Sequence, residues 1–282
     1  MTGEAKAISL MAMNTSFRTL DVPGGTIAFE VAGTGPSVVC LPGMGDLRSS
    51  YRALAPELVA AGYRVAVADL RGHGDSSAAF GSYGDEETAA DTAALIEHLG
   101  EASVIVGNSM GAGAAVILAA DRPELVRGLV LIGPFVRDPA STAIVRVAMR
   151  VALAAPWIGA VWRAYLPSLF AGRKPEDFAA HRDAITAALR RPGHAAAFSR
   201  TARLSHDGAE RALPRVFTST LVVMGELDPD FPDPALEAAW IAERLGADTV
   251  MVPEAGHYPH SQRPDLVSSA VVNFLREGAK RG

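Results

Sequence analysis

Gly107-Asn108-Ser109-Met110-Gly111 sets a serine between two glycines, and its surroundings make that serine a candidate nucleophile. The apolar run Ser103–Val106 precedes it, and the small-residue stretch Ala112–Ala120 follows, so Ser109 falls at a strand-to-helix turn. A turn that sharp strains the backbone, and flanking glycines remove side chains that would collide there. The hydroxyl then projects from the carboxyl edge of a sheet, and the helix N-terminus behind it favours developing negative charge. G-x-S-x-G alone is a weak signal, since a Gly-rich connection gives the same letters. The strand–turn–helix setting gives it weight.

A serine hydroxyl needs a base to take its proton and an acid to orient that base. His257 lies in Glu254-Ala255-Gly256-His257-Tyr258-Pro259-His260, just after the apolar run Thr249–Val252. It is the expected base, with His260 as its rival. The run Leu221–Met224 leads into Gly225-Glu226-Leu227-Asp228-Pro229-Asp230. Asp228 is the expected acid, with Asp230 and Glu226 as rivals, and Pro229 restricts its backbone to extended conformations. A developing oxyanion needs backbone N–H donors. Met110 supplies one, and Met44, in Leu41-Pro42-Gly43-Met44-Gly45, is the candidate for the second.

Positioning these groups requires strands that end where the loops begin. Thr26–Val31, Ser37–Leu41, Arg64–Asp69, Ser103–Val106, Leu129–Ile132, Leu221–Met224 and Thr249–Val252 are short runs bounded by Gly, Pro or Asp, as fully buried strands are. Helical patterns over Asp85–Leu99, Ser109–Ala120, Pro234–Leu245 (Gly246 as C-cap) and Ser261–Glu277 alternate with them. Such alternation predicts an α/β fold, a mostly parallel sheet with helices on both faces. Phe17–Val31 fits an antiparallel edge hairpin around Pro23-Gly24-Gly25.

Composition narrows the rest. The chain has 282 residues and a formal charge of −5, so no general electrostatic attraction to nucleic acid is expected. Its one cysteine, Cys40, excludes an intrachain disulfide and a Cys-based metal site, and fits a reducing cytoplasm. The apolar run Ile8–Met13 is short and does not read as a signal peptide, and no stretch approaches the ~18 residues of a membrane span.

LPGMG at 41–45, DLRGHGDS at 69–76, GNSMG at 107–111, GELD at 225–228 and AGHYPH at 255–260 stand in an order that resembles the α/β-hydrolase family. The resemblance runs from about Phe17 to about Glu277. It implies an α/β-hydrolase fold: an eight-stranded sheet with a helical cap insertion, a core over 17–133 and 215–280 and a cap over 134–214. Pro42 stands where many members have histidine, which leaves the Met44 N–H in place. A serine at 109, not an aspartate, argues against the dehalogenase and epoxide-hydrolase branches. His73 reads as structural and Cys40 as a small core residue.

The segment 134–214 has no strand-like run and contains Trp157, Trp162, Tyr165, Phe170, Phe178 and Phe198. Most of these should pack, while some line an apolar pocket. It carries twelve basic residues against six acidic ones, as expected of arginines on solvated helix faces. Arg146 and Arg150, four apart on an otherwise apolar helix, are the candidates for an inward pair binding a substrate carboxylate.

The expected activity is hydrolysis of a carboxylic ester, thioester or amide of a small, largely apolar substrate through an acyl-enzyme, with no cofactor and no metal. Two alternatives come from the resemblance. One is cleavage of carbon–carbon bonds in aromatic ring-fission products. The other is a triad-bearing receptor for a small ligand with slow turnover.

Overall fold

A computed structural model describes residues 15–138 and 151–281. Its strands are β1 Ser16–Val22, β2 Gly25–Ala32, β3 Ser37–Leu41, β4 Arg64–Ala68, β5 Ser103–Asn108, β6 Val126–Ile132, β7 Thr220–Gly225 and β8 Asp248–Val252. The helices among the described residues are α1 Leu54–Ala60, α2 Asp85–Leu99, α3 Met110–Asp121, α4 Ile158–Leu169, α5 Phe178–Leu189, α6 His194–Thr201, α7 Asp207–Ala212, α8 Pro234–Leu245, α9 Pro259–Gln262 and α10 Pro264–Arg281.

All eight strands join one sheet in the order β1-β2-β4-β3-β5-β6-β7-β8. β1 and β2 form the expected antiparallel hairpin, and β2 also runs antiparallel to β4. From β4 to β8 every pairing is parallel. Every residue of β3 and of β7 is buried, because a parallel strand covered on both faces has no face left for water.

Alternation along the strands divides the core. Val39, Leu41, Ile105, Leu129, Leu131, Val222 and Met224 face α2, α3 and α8. Val38, Cys40, Val65, Val67, Val106, Val130 and Val223 face α1 and α10. Each fully buried Val or Leu contributes roughly 1.5–3 kcal/mol relative to exposure. The chain lays down β3, adds β4 on one side, then crosses to place β5 on the other. Strand order reverses at β3, so the loops after β3 and β5 flank the crevice where open α/β sheets take ligands.

Between β6 and β7, α4–α6 carry an apolar cluster of their own, including Ile158, Trp162, Leu166, Ile185 and Phe198, while Ala209 and Ala212 of α7 join the sheet-face core. Two local departures from expectation have plain causes. The final helical stretch is two helices, because Pro264 lacks an N–H and holds Arg263 (φ −132°, ψ 58°) out of the helical region. The seven-residue α1 was not anticipated; its Leu54, Ala55 and Leu58 are held by burial against β4 and α10.

Candidate active site

Ser109 caps α3 with φ 56° and ψ −121°, a conformation that costs a non-glycine residue about 1–3 kcal/mol. The neighbours enforce it. A Cβ at position 107 would sit 2.4 Å from Gly111 O, and one at 111 would sit 2.7 Å from Leu41 O and Pro42 O. Both flanking glycines are therefore required by space. Ser109 N donates to Ile132 O at 2.9 Å, and Asn108 Nδ2 donates to Ile132 O (3.0 Å) and His257 O (3.2 Å). The serine's turn is thus tied to the end of β6 and to the histidine loop. Ser109 is 5% exposed, and its Oγ has no hydrogen-bond partner among the described residues.

His257 and Asp228, at the ends of β8 and β7, are both buried. His257 Nδ1 donates to Asp228 Oδ2 at 2.8 Å, which leaves Nε2 as the proton-accepting nitrogen. Burial pulls the imidazole pKa down, but the charge and hydrogen bond of Asp228, with Asp230 and Asp46 adding, push it up to about 9. Asp230 Oδ2 lies 3.7 Å from the same Nδ1, and Asp230 N donates to Asp228 Oδ1 at 3.1 Å. Gly133, at φ +48°, leaves room for the pair: a Cβ there would meet His257 O, His257 Nδ1 and Asp228 Oδ2 at 3.1–3.3 Å.

The loop after β3 lies against Ser109, since a Cβ at Gly43 would come within 2.9 Å of Ser109 Cβ. Neither Met44 N–H nor Met110 N–H has a hydrogen-bond partner among the described residues. Three side chains hold this loop. His73 Nε2 accepts from Gly45 N at 2.9 Å while its Nδ1 donates to Arg71 O at 3.0 Å. Burial drives the His73 pKa down to about 4, so the ring stays neutral and can accept. Asp46 accepts from Leu47 N and pairs with His181 of α5, and Trp162 Nε1 donates to Gly45 O at 2.8 Å.

Of the rivals, Glu226 is exposed, and His260 is buried against Tyr51, with ring centroids 4.8 Å apart. Neither ring nitrogen of His260 has a hydrogen-bond partner among the described residues, and burial drives its pKa down to about 3. Arg146 and Arg150 lie outside the described residues. Among the aromatics, Trp162, Phe170 and Phe198 are buried, whereas Trp157 and Tyr165 are exposed. Asp228, Asp230 and His257 offer three ligand atoms within 4.8 Å of one another, but His257 Nδ1 is already engaged with Asp228. Asn108, Gly133 and Asp46 were not anticipated. Asn108 sits inside the serine motif, and Gly133 follows a strand run, so both carried a local signal; Asp46 carried none.

Among the described residues no helix is long and apolar enough to cross a membrane. The family model described as the alpha/beta hydrolase family matches residues 38–270. A 2-(acetamidomethylene)succinate hydrolase of Mesorhizobium japonicum is 28% identical over 92% of this chain and 94% of its own. A 2-hydroxymuconate semialdehyde hydrolase of Pseudomonas putida is 29% identical over 89% of this chain and 87% of its own. The solved structure of a thermophilic esterase from Thermogutta terrifontis, malate bound, superposes with a TM-score of 0.75 at 26% identity, covering 94% of this chain and 99% of that one. With this match, this sheet order and a serine on a strained turn that Asn108 ties to the loop of a buried Asp–His pair, the chain belongs to the alpha/beta hydrolase family and is an enzyme.

Proposed function

We propose that the protein is a serine hydrolase that cleaves a carboxylic ester, thioester or amide of a small, largely apolar substrate. Ser109 Oγ attacks the carbonyl carbon while His257 Nε2 takes its proton. Asp228 holds the imidazole in the tautomer that leaves Nε2 free and stabilises the imidazolium that forms. The Met44 and Met110 N–H groups receive the oxyanion. The C–X bond of the tetrahedral intermediate then breaks, and His257 returns the proton to the leaving group. Water, deprotonated by the same nitrogen, releases the acid from Ser109.

The observation that carries the reading is the 2.8 Å bond between buried His257 and Asp228, on loops tied through Asn108 to a serine strained into φ 56°. The helices between β6 and β7, within the proposed cap over 134–214, bring aromatic and aliphatic side chains against the loop after β3, which favours an apolar substrate. The free, buried Cys40 fits work in the cytoplasm.

A second reading keeps the same residues and changes the bond. The similarity to the 2-hydroxymuconate semialdehyde hydrolase favours carbon–carbon cleavage of a ring-fission product. Labelling with a fluorophosphonate should modify Ser109 and be abolished in Ser109→Ala. An ester chain-length panel run beside a ring-fission dienoate then separates the readings: turnover of the esters supports the first, and turnover of the dienoate alone supports the second. An unlabelled Ser109 refutes both.

A further inference from the structure

Helix α4 contacts three of the four loops that carry the proposed chemistry. Trp162 Nε1 donates to Gly45 O at 2.8 Å. Tyr165 Oη donates to Asp230 Oδ1. Leu169 O accepts from His257 N at 2.7 Å. Residues 162, 165 and 169 follow one another by three and four, so they share one helix face. We infer that Trp162 and Tyr165 are positioning residues for the reaction proposed above: Trp162 holds the loop that presents the Met44 N–H, and Tyr165 holds the second carboxylate beside His257.

Trp162 is 6% exposed, and a buried indole N–H requires a partner. Its partner is the carbonyl of the residue after Met44. The N–H of that same residue is held by His73. The two peptide groups on either side of the Gly45 Cα are therefore both pinned, one from the body and one from α4, and the approach of Trp162 and Phe198 leaves Gly45 no space to move toward them. An oxyanion donor acts only when it lies 2.7–3.1 Å from the developing charge. A loop released on one side moves its donor out of that narrow range without disturbing the rest of the pocket.

Tyr165 acts at the other end. Asp230 Oδ2 stands 3.7 Å from His257 Nδ1 against 2.8 Å for Asp228. A second carboxylate at that distance competes for the same N–H. The Tyr165 hydroxyl occupies the other Asp230 oxygen and turns the group toward α4. Because α4 bonds to the oxyanion loop, the acid loop and the histidine loop together, it is part of the frame of the site. It cannot swing as a unit without loosening all three.

The inference rests on the serine-hydrolase reading, and one experiment separates their failures. Wild type, Trp162→Phe, Tyr165→Phe and the exposed control Trp157→Phe are compared on a neutral p-nitrophenyl ester and for inhibition by a trifluoromethyl ketone, which forms a tetrahedral adduct. Trp162→Phe should lower kcat about tenfold, leave KM within about twofold and weaken the ketone by a similar factor to kcat, because the loss falls on the oxyanion. Trp162→His, which keeps a ring N–H, should recover part of kcat. Tyr165→Phe should move the acid limb of the pH–rate profile upward by about half a pH unit, since Asp230 is freed to face the imidazolium. Trp157→Phe should match wild type. Unchanged kcat and ketone affinity in Trp162→Phe, with only a lower Tm or a higher KM, would overturn the role of Trp162. An unmoved profile in Tyr165→Phe would overturn that of Tyr165, and this variant stands even if position 162 tolerates no change. A wild type that is not labelled at Ser109 removes the reaction and the positioning roles together.

Discussion

Asp46 Oδ1 and His181 Nε2 stand 2.8 Å apart in the interior and join the loop after β3 to α5. Burial alone would raise the Asp46 pKa. The charge and hydrogen bond of His181, with the Leu47 N–H, overcome this and hold it below the usual carboxylate range. A depressed pKa stabilises the fold above the ordinary carboxyl value and loses that contribution as pH falls through the folded value. Asp46→Asn should therefore cost about 3 kcal/mol in urea unfolding at pH 7, as expected when one member of a buried pair is removed. The gap to wild type should narrow at pH 3. An equal gap at both values would show that the charge of Asp46 contributes nothing.

His257 gives the opposite sign. Its pKa stands near 9, and only the neutral ring accepts the serine proton. Activity should rise with pH, with an acid limb centred above the ~6.5 of an unperturbed histidine and toward 9. The same raised pKa stabilises the fold below 6.5 and is lost as pH rises through about 9. Initial rates and unfolding midpoints between pH 5 and 10 test both. A rate flat across that range contradicts a histidine base.

Asp228 and Asp230 should differ sharply. Asp228→Asn places an amide against His257 Nδ1 and favours the wrong tautomer, so kcat should fall by up to about 10⁴-fold. Asp230→Asn should lose less than about tenfold, because its oxygen lies 3.7 Å away, and should shift the acid limb downward. The reverse ranking in kcat assigns the orienting acid to Asp230.

The strands and the loops after them were legible because their signal is local: short β-branched runs, a glycine or proline, then a reactive residue. Ser109, Asp228 and His257 each follow such a run. What supports them was not legible. Gly45 meets His73 from 28 positions away and Trp162 from 117, and Asp46 meets His181 from 135. Such pairings are set by the crossover at β3 and by the packing of α4 and α5, which no local pattern records. The structural reading of His73 contains no hint of its partner, the Gly45 N–H, which lies on a different loop. The break in the C-terminal helix has a local signal in Pro264, which outweighs the helical pattern around it.

Gly133→Ala tests the space behind the Asp–His pair. Left-handed backbone costs an L-residue about 1–2 kcal/mol. The added Cβ also meets His257 and Asp228 at 3.1–3.3 Å. Turnover should fall at least about tenfold, with stability reduced by no more than about 2 kcal/mol. Full activity would show that the pair relaxes without cost.

Cys40 stands in β3, fully buried between β4 and β5, and burial raises its thiol pKa far above the ordinary range. The only sulfhydryl of the chain is therefore a clock for the centre of the sheet. A thiol reagent reaches it only when β3 parts from its neighbours. The rate of Cys40 modification at low denaturant then reports opening of the strand that leads into the Met44 loop. A substrate analogue that grips that loop should slow the clock, and the slowing gives its affinity without any turnover being measured.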